Sequence, residues 1–120
     1  MATNLESIER AVKDLTGKAR VGEWKTVIIA ASGTISSVAD LGGNFAYLQV
    51  VIPTITSAQL ELQVQGGDNT YQDFGQNALT EVGTGAFNDT WVLGGWQFIK
   101  IKSSAAQTSA VTFSVRGVTY

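Results

Sequence analysis

Gln59-Leu60-Glu61-Leu62-Gln63-Val64-Gln65 alternates apolar and polar side chains without a break, and Gly66-Gly67-Asp68-Asn69 follows directly. Successive side chains of a strand point to opposite faces, so this spacing predicts a strand with Leu60, Leu62 and Val64 inward. Gly, Asp and Asn tolerate positive φ, so the next four residues predict a hairpin turn. Thr70 to Phe74 is then the returning strand. The fold follows by extending this period-two reading in both directions.

Upstream, Lys25 to Ala31 is a β-branched apolar run that ends in a turn at Ser32-Gly33, and Thr34 to Val38 predicts a further strand. Asp40-Leu41-Gly42-Gly43-Asn44 is a turn cluster. Phe45 to Ile52 alternates, with Ala46, Leu48, Val50 and Ile52 on one face. Pro53 is expected to end it, because proline cannot donate to a ladder. Downstream, short strands are expected at Ala78 to Val82 and Phe87 to Leu93. Gly94-Gly95 turns the chain into Trp96 to Lys102, where Ile99 and Ile101 alternate with lysines. Ser103 to Ser109 reads as a polar loop. Ala110 to Arg116 closes the domain with Val111, Phe113 and Val115 inward. The pattern predicts a mainly β fold, an antiparallel β-sandwich of jelly-roll type with about eight strands, over residues 21–120.

The first 20 residues have a different period. Thr3 and Glu6 have capping-box spacing, and Leu5, Ile8, Val12 and Leu15 follow at intervals of three and four. Glu6 and Arg10, and Glu9 and Lys13, are pairs four apart in the favoured order. Gly17 is a plausible C-cap. Residues 1–20 therefore predict an amphipathic N-terminal helical arm. An isolated helix of this length is marginal in water, so it must pack on something. Its apolar stripe suits either its own domain or a surface beyond it, on sister subunits or a partner protein. Leu5, Ile8, Val12 and Leu15 are the candidate partner-binding residues.

Composition excludes several functions. The 120-residue chain has no Cys and no His. Thiolate and imidazole chemistry, and the usual zinc sites, are therefore absent. The net charge is −2, which disfavours a nucleic-acid clamp. The longest apolar run, Leu48 to Ile52, is far short of the roughly 20 residues of a membrane helix. The first residues are polar and of mixed charge, unlike a secretory signal. Charged residues are only 15% of the chain, against about 25% on average. Such a surface is poorly protected against association.

Individual candidates for chemistry are weak. Asp68, Asn69 and Asp73 offer oxygens near one turn but lack the spacing of a calcium loop, and a hairpin explains them. Asn88-Asp89-Thr90 is a glycosylation triplet without a secretory context. Trp24, Trp91, Trp96, Tyr47 and Tyr71 suit a sugar-stacking platform, but their spacing predicts no common face. No carboxylate pair stands out for glycoside hydrolysis. Gly83-Thr84-Gly85 lacks the third glycine of a nucleotide loop. The expectation is a protein that is not an enzyme and uses no cofactor or metal.

Several segments resemble a family of small β-sandwich virion proteins of tailed bacteriophages. These are Ser32-Gly33-Thr34-Ile35-Ser36-Ser37-Val38-Ala39-Asp40-Leu41-Gly42-Gly43, then Val51-Ile52-Pro53-Thr54 with Leu60-Glu61-Leu62-Gln63-Val64. Gly67-Asp68-Asn69-Thr70-Tyr71-Gln72-Asp73-Phe74 and Phe98-Ile99-Lys100-Ile101-Lys102-Ser103 follow in order. The resemblance spans roughly residues 26 to 116 and contains no catalytic motif. It implies a virion component assembled in the host cytoplasm: a capsid decoration or cement protein, a head fibre, or a small tail part. Major capsid or tail proteins, and further copies of the chain, are the implied partners; nucleic acid and membrane are not. The arm lies outside the resembling region and is a candidate attachment element. A host-glycan-binding adhesion module is the alternative reading, with a small hydrolase a weaker third.

Overall fold

The computed structural model describes residues 20–65, 70–74 and 80–120. Eight strands are present among them: β1 (Arg20–Val21), β2 (Lys25–Ile29), β3 (Ala39–Asp40), β4 (Tyr47–Gln65), β5 (Tyr71–Asp73), β6 (Thr80–Val92), β7 (Phe98–Ser103) and β8 (Val111–Thr119). All pairings are antiparallel and belong to one sheet. Among the described residues no helix is long and apolar enough to cross a membrane. The expected helix and arm of residues 1–20 lie outside the described residues except for Arg20, which already pairs with Thr119.

The sheet is organised by β4, whose 19 residues would span on the order of 60 Å if straight. One edge of β4 pairs with β6 and then β5; the other pairs with β8 through Val51 and with β7 from Leu60. β4 does not stay straight. Phe74 N donates to Leu62 O near one end, and Gly94 N donates to Ala46 O at the other. Yet a Cβ on Gly94 would lie 3.0 Å from the Phe74 ring. The two ends of the sheet have therefore curled towards each other into a half-barrel. The two separate sheets of the expected sandwich are replaced by one continuous sheet, because β4 and β6 both run through the bend unbroken.

Pro53 does not end the strand. It lies in the stretch of β4 that β8 has left and β7 has not reached, so its missing N–H removes no pairing with either strand. The partner strand is irregular at the same place. Gly83, Gly85 and Ala86 have φ of 53°, 76° and 65°. The β4–β6 register slips between Thr54 and Gln59, a bulged arrangement that adds bend and twist. A Cβ on Gly85 would collide with Pro53 O and lie 2.9 Å from Ile52 Cγ2, so glycine is required there. The two strands expected at Ala78 to Val82 and Phe87 to Leu93 are consequently one bulged strand, β6.

The gap along β4 is filled from the Ser103–Ser109 loop. Gln107 Oε1 accepts from Thr56 N at 2.8 Å, and Gln107 Nε2 donates to Thr56 O at 3.3 Å and Ser103 Oγ at 3.1 Å. The side-chain amide thus pairs with Thr56 as a strand's peptide group does. Gln107 is 1% exposed, which corrects the expectation of a plain polar loop. Residues 34–38 close the same region with single bridges, Ile29 to Ser36 and Ile35 to Lys102, instead of the expected strand. Ser36 Oγ accepts from Ile101 N, and Ser37 Oγ accepts from Ile28 N, so this segment ties β2 to β7.

The interior is one cluster drawn from both halves of β4. Leu60, Leu62, Val64, Ile99, Ile101, Val111, Phe113 and Val115 are all buried, as their alternation requires. Gln63 departs from the pattern. It faces outward yet is buried, because Asp73 on β5 accepts its Nε2 at 2.9 Å.

Two stability outcomes follow. Leu62→Ala, at a fully buried position, should destabilise by about 2–5 kcal/mol in denaturant titration. Gln107→Ala leaves the Thr56 peptide groups unpaired and should cost about 2–4 kcal/mol in the same measurement, although it removes little apolar surface.

Candidate functional site

The two halves of the curled sheet present chemically different outer faces. Outside the second half of β4, side chains are polar and mutually engaged. Gln59 Nε2 donates to Glu81 at 2.9 Å, Lys102 lies 3.6 Å from Asp73, and Lys100 Nζ sits 4.5 Å from the Tyr71 ring centre. Gln97 Nε2 and Gly42 N both donate to Asp40 Oδ1, each at 2.9 Å. The Gln97 bond is the main cause holding the Asp40 carboxyl below its ordinary value of 3.8, with the Gly42 bond next and Lys25 a smaller contributor. Exposed pairs of this kind are worth little individually. This is a solvated face.

Outside the first half of β4, the face is aromatic and nearly uncharged. The period that turns Leu48, Val50 and Ile52 inward turns Tyr47, Gln49 and Val51 outward. Gln49 pairs with Arg116 on one side and Thr90 on the other; Val51 pairs with Ser114 and Asn88. Trp24 stands just before β2, whose Val27 and Ile29 point inward, and joins the outward row beside Arg116. The Arg116 guanidinium lies 4.4 Å from the Trp24 ring centre, and its Nε donates to Gln49 Oε1 at 2.6 Å. Arg116 is thereby fixed by two flat partners, one on its face and one at its edge. Trp24 remains 47% exposed. These residues, with Asn88 and Thr90, line an open groove of about 400 Å³.

The aromatic surface continues towards the chain end, where the Tyr47 and Tyr120 rings lie 5.5 Å apart. Val21, Ile28 and Val92 are also exposed. β1 enters beside this surface. Arg20 stacks 5.4 Å from the Phe45 ring and donates to Asn44 O. Phe45 itself covers Gly117, where any Cβ would overlap its ring.

The candidate partner residues Leu5, Ile8, Val12 and Leu15 lie outside the described residues. Of the five aromatics considered from sequence, Trp91 is core, Tyr71 belongs to the polar face, and Trp96 is exposed outside the groove. Trp24 and Tyr47 share the aromatic face, which their spacing did not reveal. Asp68 and Asn69 lie outside the described residues, and Asp73 is engaged by Gln63 and Lys102. Among the described residues no group of three acidic side chains is placed to hold a metal. Asp89 uses both oxygens within its own strand, accepting from Thr90 N and Trp91 Nε1.

No protein-family model matches the sequence, and no curated protein matches it. Solved structures do share the fold. The SPBc2 prophage-derived protein YomS superposes with a TM-score of 0.54 at 16% identity, over 84% of this chain and 95% of that one. A family 89 glycoside hydrolase from Clostridium perfringens gives 0.48 at 11% identity, over 77% of this chain and 14% of that one. The cyanophage Pam1 capsid gives 0.40 at 14% identity, over 84% of this chain and 81% of that one. At these identities the likeness is one of fold, and only the first is close enough to support argument.

The polar face generates one titration outcome. A carboxyl with a lowered folded-state pKa contributes stability above its unfolded value and loses it as pH falls through the folded value. Asp40 should therefore titrate below 3.8 when its side-chain carbon shift is followed by NMR. A midpoint at or above that value contradicts the Gln97 and Gly42 bonds.

Proposed function

We propose that this chain is a structural protein of a tailed-phage particle, acting as a capsid decoration or cement protein. The observation that carries this reading is the fold shared with a prophage-derived protein over nearly the whole of both chains. The surface supports it. Val21, Tyr47, Val92 and Tyr120 are exposed at the end of the outer face where β1 enters, and large apolar patches mark association surfaces more often than bare solvent contact. The arm joins the sheet at Arg20, at the edge of that face. Sheet face and arm thus supply adjoining contacts for a capsid or tail protein, and for neighbouring copies of the chain.

Copy number in purified particles, measured by quantitative mass spectrometry, tests this reading. A copy number matching the capsid lattice supports decoration. A copy number confined to a single tail or neck ring places the protein there, and absence from particles overturns the proposal. The attachment role of the arm has its own outcome. Leu5→Asp combined with Ile8→Asp should leave the thermal transition nearly unchanged and abolish co-sedimentation with particles. Normal co-sedimentation, or outright unfolding, contradicts it.

A further inference from the structure

The Trp24 groove has more chemistry than a flat contact surface needs. We propose that it binds a short oligosaccharide, with one pyranose ring stacked on the uncovered face of Trp24 and the hydroxyls of the adjoining units held by Gln49, Asn88 and Thr90. Three observations carry this. The indole is covered on one face by the guanidinium and is still 47% exposed, so it offers an open aromatic surface to the C–H face of a sugar. Gln49 Oε1 is committed to Arg116, so the Gln49 amide presents its Nε2 as a donor. Asn88 and Thr90 stand on the same outward rows, one strand away. From Arg116 to Thr90 the floor crosses two strand spacings, about 10 Å, and the Asn88 row lies about 7 Å further along. That floor, in a groove of about 400 Å³, suits a short oligosaccharide.

The lining also argues against other ligands. Among the described residues Arg116 is the one cation lining the groove, too little charge to track a polyanion. Gln49, Asn88 and Thr90 add two neutral amides and a hydroxyl, which both donate and accept, as vicinal sugar hydroxyls do. Asp89, the one acidic residue of the lining among the described residues, has both oxygens occupied. Among the described residues the groove has no acid/base pair for glycoside cleavage. This is a second contact for a particle-borne protein, directed at a host surface rather than at the shell.

The test is to screen the full chain on an array of immobilised bacterial and animal oligosaccharides. The strongest responder is then titrated as free oligosaccharide by NMR. Saturable binding with shifts at Trp24 Nε1–H and the Gln49 and Asn88 side-chain amides is expected. Trp24→Ala should weaken it by about tenfold or more, the loss typical of an aromatic anchor. Trp96→Ala, outside the groove, should leave it unchanged. Should Trp24→Ala disturb folding, Asn88→Ala on exposed β6 provides the same reading. Failure of every oligosaccharide to bind, or undiminished binding in these groove variants, overturns the proposal. So does binding only to sulfated chains with steep salt dependence. Trp24→Ala should still co-sediment with particles, which separates this site from the attachment role.

Discussion

The pairing of the Gln107 side-chain amide with the Thr56 peptide is the contact on which the shape of this protein depends. A long strand can serve two parts of a curled sheet only if its backbone is satisfied where one neighbour leaves and the next arrives. β8 departs after Val51 and β7 arrives at Leu60. Between them Pro53 needs no donor partner, and Thr56 receives an amide that imitates a peptide. Without it the bend would bury unpaired backbone groups, a cost comparable to losing a core side chain. The positive-φ residues opposite, Gly83, Gly85 and Ala86, let β6 follow the same bend. The curl is therefore built from two local departures from regular strand geometry, one on each partner.

The proposed function draws on that curl. It gathers the inward residues of both halves of β4 into one core and leaves two outer faces of different character. One carries Lys100, Lys102, Asp73, Glu81 and Asp40, paired and solvated. The other carries Trp24, Tyr47, Val92 and Tyr120, with Arg116 clasped between Trp24 and Gln49. A protein that works by contact needs one face to keep it soluble and another to bind.

Much of this was legible in the sequence, for identifiable reasons. Strict alternation at Leu60, Leu62 and Val64, and at Val111, Phe113 and Val115, revealed strands and their buried faces, because one face of water forces that period. What the sequence concealed was long-range. Pro53 reads as a stop because local rules cannot know that a strand partner is missing there. Gly83-Thr84-Gly85 reads as a break because a bulge and a turn use the same residues. Gln107 sits in a stretch of Ser, Ala and Thr whose polarity says loop; only the distant Thr56 gives it a structural task. The aromatic groove was hidden for the same reason. Trp24, Gln49, Thr90 and Arg116 are scattered along the chain and become neighbours through register alone. The stripe Leu5, Ile8, Val12 and Leu15 stands as a sequence expectation that the attachment experiment addresses.

Amide hydrogen exchange at Thr56 tests the central claim most directly. If Gln107 replaces a missing strand, the Thr56 N–H exchanges as slowly as the amides of regularly paired β4 residues such as Leu62. Exchange at the rate of an exposed loop would mean that the bend is open to water, and that a single continuous strand does not carry the fold through it.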